Sequence, residues 1–179
     1  SSFIGFVLNV ILIFLHKNKY SSKFIPIFIT VALTQLFDFL VYSGYDLNII
    51  NKLLSITLSL QVFFIYKSMD LPKYTFLIPL ILFFKNLNWE PYKGYSNGPI
   101  AWKEHGNTKL ILAIVWLLIP LIFNQKDFKF LFYSFVLLMI SDKFNFGSVG
   151  KNWCMLGVVL NLITYLTYKN KNYTILNEN

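Results

Sequence analysis

The 179-residue sequence contains no arginine, one cysteine and two histidines. A single cysteine, Cys154, excludes a disulfide within the chain and any metal site built from several cysteines. His16 and His105 are too few to form a three-histidine zinc centre, so this class of membrane hydrolase is excluded. The sequence also lacks a Gly-x-Ser-x-Gly nucleophile motif, and no metal or cofactor is expected.

Charge is scarce as well. Charged residues make up 13% of the chain and hydrophobic residues 56%, whereas a soluble domain has about 25% charged residues. This composition predicts an integral membrane protein. The net charge of +8 comes from lysines that lie between the apolar runs rather than in one patch. That distribution suits phospholipid headgroups and argues against a nucleic-acid groove, so the lipid bilayer is the expected partner.

Apolar runs occupy most of the chain and predict an all-α fold, a polytopic transmembrane helix bundle in one domain over residues 1–179. We expect seven spans, with six as the alternative because several runs are shorter than the usual 17 to 25 residues. A retinal pigment is excluded, since the seventh run contains no lysine for a Schiff base. The seven runs are Phe3–Leu15, Phe24–Tyr45, Ile49–Tyr66, Leu71–Phe84, Leu110–Phe123, Phe128–Ile140 and Trp153–Tyr168.

The connections between runs are short and contain lysine, as at His16–Lys23 and Lys67–Pro72, and are typical of turns at the membrane surface. If the seven runs alternate in direction, nine of the 16 lysines lie on the side of the C-terminus. The positive-inside rule then predicts a cytoplasmic C-terminus and an outside N-terminus. Pro79 and Pro120 lie inside runs, where each frees a backbone carbonyl that a neighbouring group must satisfy.

The second run contains two strongly polar residues, Gln35 and Asp38. An acid near mid-bilayer costs about 2.5 to 3.5 kcal/mol, which favours burial against other helices. A spacing of three places both side chains on one helical face, and Gln61 and Asn161 offer partners from the third and seventh runs. We interpret the four as an intramembrane polar cluster that joins helices. The alternatives are a functional acid, for proton relay, cation passage or catalysis, and an early helix end that lets Asp38 reach the surface.

Residues 85–109 form the one long polar loop, rich in aromatic and turn residues. Such a loop either caps the bundle at headgroup depth or binds a partner, such as another membrane protein or a capsid protein. The adjacent acid and histidine in it are weak evidence for a metal site. The candidate interaction residues of this loop are Trp89, Glu90, Trp102, Glu104 and His105.

Four short motifs carry a resemblance to a known family: TQLFDFL at Thr34–Leu40, INKLLS at Ile50–Ser55, SNGPIAW at Ser96–Trp102, and Gly147-Ser148 followed by Trp153-Cys154. Together they resemble a family of multi-pass membrane proteins of nucleocytoplasmic large DNA viruses that is not tied to a known reaction. The chain departs from the family pattern at Pro99, where a histidine is common, and at Val149–Asn152, which separate the last two pairs. The resemblance implies a virion internal membrane or the host endomembrane from which it derives.

These observations favour a non-enzymatic integral membrane protein with a structural or interaction role. A small channel or transporter with Asp38, Gln35 and Gln61 lining the pathway is the first alternative. A lipid-acting membrane enzyme that uses Asp38, Glu104 or His105 is the third hypothesis.

Overall fold

The computed structural model describes residues 2–17, 19–86, 92–93, 101–102, 114–124, 127–144 and 149–168. Seven α-helices lie within these ranges, with two 3₁₀ turns, one π turn and one short strand pair. The helices are α1 Ser2–Leu15, α2 Ile25–Tyr42, α3 Leu47–Ser68, α4 Leu77–Asn86, α5 Ile119–Phe123, α6 Phe128–Phe144 and α7 Val149–Thr167.

Local sequence sets the ends of α2 and the start of α3. A 3₁₀ turn over Tyr20–Phe24 leads into α2, whose first turn contains Pro26, where the missing N–H costs nothing. After α2, Gly44 adopts φ +85, and its N–H and that of Tyr45 donate to carbonyls of the last helical turn. This is a Schellman ending, which favours glycine because a Cβ is strained at positive φ. The Asp46 carboxylate then accepts from the backbone N–H of Asn48 and caps α3.

Proline shapes the fifth helical segment. A π turn over Ile114–Leu118 precedes α5, and Pro120 follows as the second residue of α5. Pro120 has no N–H, so it cannot donate to the carbonyl of Val115, five residues earlier, as a continued π register would require. The Tyr66 hydroxyl of α3 donates to that carbonyl at 3.0 Å. A side chain from another helix thus satisfies a backbone group beside the proline.

The helices pack around α2, which contacts α1, α3 and α7. Helix α1 also packs on α7, α3 on α4, and α6 on α7. The larger apolar core gathers around Phe24, whose ring stacks on that of Phe130 with centroids 4.2 Å apart. A smaller one lies between α2 and α3 around Phe37 and Leu54.

The predicted helical fold is confirmed. Two helical segments, Ser21–Tyr42 and Leu47–Ser68, are each 22 residues long and apolar enough to cross a bilayer, and the other apolar helices are shorter. Within the long loop, Tyr92–Lys93 and Ala101–Trp102 pair as two short antiparallel strands, β1 and β2. The backbone of β2 lies against α7.

Several predicted boundaries also differ. The second run was expected to be helical to Tyr45, but the Gly44 turn ends α2 at Tyr42. Helix α6 continues to Phe144, and α7 begins at Val149, because helical hydrogen bonding extends into polar residues that an apolar run does not include.

Candidate functional site

A chain of hydrogen bonds between fully buried side chains connects α1, α2, α7 and the turn after α1. The Asn9 amide on α1 donates to Gln35 Oε1 on α2 at 2.9 Å. Asn161 on α7 donates from Nδ2 to Asn9 Oδ1, also at 2.9 Å. Asn161 Oδ1 lies 2.6 Å from His16 Nε2, and His16 Nδ1 lies 2.6 Å from Ser21 Oγ. We call these five residues the amide cluster.

The orientation of Asn161 fixes the proton on the His16 ring. Because Asn161 Nδ2 donates to Asn9, its Oδ1 must accept, so His16 carries a proton on Nε2 and donates it. In the neutral ring, Nδ1 then accepts from the Ser21 hydroxyl. Burial lowers the pKa of His16 below its usual 6.5, with a smaller contribution from the nearby Lys19 charge, while the bond to Asn161 acts in the opposite direction.

Gly5 makes room for the amide cluster on α1. A Cβ at position 5 would lie 2.9 Å from Gln35 Nε2 and 3.1 Å from Gln35 Cδ. The Gln35 amide therefore lies directly against the α1 backbone, one turn before Asn9. A larger residue at position 5 would push that amide away from Asn9.

A second group, the ion-pair cluster, joins four segments at one end of the bundle. Lys23 donates to Asp127 Oδ2 at 2.6 Å, and the carboxylate is 1% exposed while Lys23 is 22% exposed. Asn124 donates to the same oxygen at 3.2 Å and to the Met69 carbonyl at 2.6 Å. Tyr168 donates to Asp127 Oδ1 at 3.4 Å. The Asp127 carboxylate, in the turn before α6, therefore connects the start of α2 with the end of α7. Asn124 extends this connection to the end of α3.

Lys19 makes a further contact at this end. Its ammonium donates to the Tyr165 carbonyl at 3.0 Å and lies 3.5 Å from the centroid of the Tyr165 ring. The Ser68 hydroxyl donates to the Lys23 carbonyl at 2.7 Å. Two of the lysines in the first connection are thus engaged inside the protein.

The four residues predicted as an intramembrane cluster are all buried, at 4% exposure or less. Gln35 and Asn161 belong to the amide cluster and are joined through Asn9. Asp38 lies one turn after Gln35 on α2 and is 4% exposed. Gln61 on α3 is 1% exposed, and within the described ranges its Oε1 has no hydrogen-bond partner. The hydroxyl groups of Thr57 on α3 and Thr164 on α7 donate to carbonyls one turn earlier in their own helices.

The predicted loop surface lies largely outside the described residues. This applies to Trp89, Glu90, Glu104 and His105. The backbone of Trp102 forms β2, and its side chain is outside the description. In the part of the chain that is described, no three His, Cys, Asp or Glu residues come close enough together to hold a metal ion.

Sequence reasoning missed several members of both clusters. Asn9 was overlooked, although it is a lone amide in the first apolar run and lies on one face with Gly5 and His16 at helical spacing. The connection His16–Lys23 was expected to be a turn at the membrane surface, but His16 and Ser21 are fully buried. Asp127 was not among the candidate residues. The turn after α1 folds back into the bundle because α7 provides partners for its polar groups.

The amide cluster has the residue types of a Ser-His-Asn catalytic arrangement, but its environment does not suit catalysis. Ser21 and His16 are fully buried, and the imidazole lies between the rings of Phe28 and Tyr165, with centroids 5.2 and 5.6 Å away. A nucleophilic hydroxyl must be able to reach a substrate, and the Ser21 hydroxyl is enclosed by the protein. The geometry holds helices together and fixes the orientation of each polar group.

The fold and these clusters define a mainly helical protein with two helices long and apolar enough to span a membrane and with polar clusters buried beside its apolar cores. No protein-family model, curated protein or solved structure matches the chain. The resemblance to a viral membrane protein family stays a prediction.

Proposed function

We propose that this chain is an integral membrane protein whose seven helices form one bundle within the bilayer, and that its role is structural or interaction-bearing rather than catalytic. The amide cluster and the ion-pair cluster would specify how the helices pack. The long loop at 85–109 would cap the bundle or bind a partner protein.

The observation that carries this proposal is where the polar and the large apolar side chains lie. Amides and acids such as Asn9, Gln35 and Asp38 are buried beside the apolar cores, whereas many large apolar side chains lie on the outside. On α1 the exposed face consists of Phe3, Ile4, Val7, Leu8, Ile11, Phe14 and Leu15. An apolar surface of this extent is unfavourable in water and suits contact with acyl chains.

Helix length fits a bilayer on the thin side. Helix α1 has 14 residues, α6 has 17 and α7 has 19, which corresponds to about 21 to 29 Å at 1.5 Å per residue. A hydrocarbon core near 27 Å, as in endoplasmic reticulum membranes, matches the longer ones. A 3₁₀ turn lengthens α4 at its start, and a π turn lengthens α5.

Proteoliposomes test both parts of the proposal. Single cysteines are introduced into a Cys154→Ser background and labelled with a membrane-impermeant maleimide. We expect Lys17→Cys, Lys67→Cys and Lys129→Cys to be labelled from one side of the membrane and Asp46→Cys from the other. Labelling of all four from the same side would rule out the seven-span bundle.

The same vesicles separate the structural role from a channel. We expect no ion flux above that of empty vesicles, and Asp38→Asn should leave both the labelling pattern and the helix content unchanged. Flux that appears with the wild-type chain and disappears in folded Asp38→Asn would replace the structural role with ion passage through the α2 acid. The conservative amide is used because it retains the shape of Asp38 while removing the charge.

A further inference from the structure

The end of the bundle that contains the ion-pair cluster collects lysines from three separate connections. Contacts between the segments establish that they converge: Lys23 bonds to Asp127, the Ser68 hydroxyl to the Lys23 carbonyl, and the Tyr74 ring lies 6.0 Å from that of Phe123. We call this the basic end.

Four lysines of the basic end are exposed and differ from Lys19 and Lys23, which are engaged inside the protein. Three of them lie within two residues of one of these contacts, and Lys17 lies two residues from Lys19, which contacts Tyr165 near the end of α7. The chain therefore holds the four lysines at the same end of the bundle. Asp127 is already paired with Lys23, and Asp70 is the one exposed acid among the described residues of this end. The four exposed lysines are Lys17, Lys67, Lys73 and Lys129.

Exposed aromatic side chains accompany these lysines. Tyr74 is 71% exposed and follows Lys73, and Phe128, 50% exposed, precedes Lys129. Lysine beside aromatic rings is the combination that lies at the level of lipid headgroups, with the ammonium near phosphate and the ring in the interfacial layer. Exposure of these rings to water alone would be unfavourable.

We propose that the basic end binds anionic phospholipid headgroups and thereby concentrates acidic lipid in the leaflet that contains it. The inference rests on the proposed membrane location and adds the lipid class and the leaflet. Phosphatidylglycerol is a suitable probe because it carries one negative charge and no positive one.

Affinity for phosphatidylglycerol and phosphatidylcholine is measured on the full chain in detergent micelles by native mass spectrometry. The variants K67Q and K52Q form a matched pair, since both change an exposed lysine of α3 and Lys52 lies near the opposite end of that helix. We expect K67Q to weaken phosphatidylglycerol binding about fivefold, the effect of one lysine near an anionic surface, and K52Q to leave it unchanged. The quadruple variant K17Q/K67Q/K73Q/K129Q should lose at least about tenfold, and raised salt should weaken the wild type more than this variant.

Equal binding of both lipids by the wild type, or equal loss in K67Q and K52Q, would overturn the inference. Competition by glycerophosphate at the same concentration as the lipid would also overturn it, because the site would then recognise free phosphate. Helix content by circular dichroism verifies that each variant is folded. Maleimide labelling of Lys17→Cys, Lys129→Cys and Asp46→Cys, each combined with K67Q, reports the membrane location separately. Absence of a lipid preference with an intact labelling pattern therefore refutes this inference alone.

Discussion

At the scale of single residues, His16 is a titratable group that is fully buried. Its two ring nitrogens contact Asn161 and Ser21, and its ring stacks on Phe28 and forms a T-shaped pair with Tyr165. It lies in the connection after α1, so protons can reach it when the bundle opens locally. Burial keeps the neutral form favoured and lowers the pKa of His16.

This lowered pKa predicts that acid destabilises the protein. The unfolded chain binds a proton at His16 near pH 6.5 and the folded protein only at lower pH, so stability is full above pH 6.5 and falls as the pH drops below it. We expect the midpoint of unfolding by sodium dodecyl sulfate to fall between pH 7.5 and 5.5 in the wild type. His16→Gln should flatten this pH dependence, although it lowers stability at neutral pH.

His105→Gln is the matched control, since it removes the only other histidine. It should retain the pH dependence of the wild type. If His105→Gln flattened the profile and His16→Gln did not, another group would be responsible for the acid sensitivity.

The burial of single polar residues could be predicted from the sequence, but their hydrogen-bond partners could not. The apolar context of Gln35 and Asp38 indicated burial, and both are buried. Their partners were not predictable, because Asn9 is 26 residues from Gln35 and 152 from Asn161. A lone amide in an apolar run indicates that a partner exists and not which one.

At the scale of helices, α2 and α7 cross at a point of close approach. A Cβ at Gly157 on α7 would lie 2.3 Å from Val31 Cγ1 on α2. Small residues allow membrane helices to approach this closely, and the gain is van der Waals packing. The contact holds α7 where Asn161, one turn later, reaches Asn9 and His16.

Gly157→Ala should therefore lower the free energy of unfolding by about 1 to 3 kcal/mol, the usual cost of overpacking a well-packed site. The double variant Val31→Ala/Gly157→Ala removes the clashing methyl groups and should be more stable than Gly157→Ala alone. Unfolding in mixed micelles measures both.

Val159→Ala serves as the control on the same helix, because Val159 is 40% exposed and its truncation should change stability by less than about 0.5 kcal/mol. A Gly157→Ala variant as stable as the wild type would show that α2 and α7 do not approach this closely.

Helix positions were largely predictable and helix ends were not. Each run is apolar enough to define a helix, and Pro120 correctly indicated a perturbed backbone with a carbonyl in need of a donor. The donor, Tyr66, is 49 residues from Val115 and lies within a run that gave no sign of this contact. The Gly44 turn, in contrast, has a local cause that the sequence contains, the tolerance of glycine for positive φ.

At the scale of the whole molecule, the ion-pair cluster closes the basic end. Asp127 is almost fully buried and Lys23 reaches solvent. The pair is therefore asymmetric: loss of the lysine leaves a buried carboxylate without its cation, whereas loss of the acid leaves an ammonium that water can solvate.

We expect Lys23→Met to lower the free energy of unfolding by about 2 kcal/mol. This is less than the usual cost of breaking a fully buried pair, because Asn124 and Tyr168 still donate to the carboxylate. Asp127→Asn should cost about 1 kcal/mol. Lys67→Met, an exposed lysine of the same end, should stay within about 0.5 kcal/mol of the wild type. A larger loss in Asp127→Asn than in Lys23→Met would contradict this asymmetry.

The sequence alone determined that the chain is helical, strongly apolar and poor in groups for metal or covalent chemistry, because composition and run length depend on no distant contact. Tertiary structure alone decided which polar groups meet. His16 and Asn161 are 145 residues apart along the chain and 2.6 Å apart in the fold. A hydrogen bond depends on position to within a few tenths of an ångström, and only the packing of α1, α2 and α7 supplies that position.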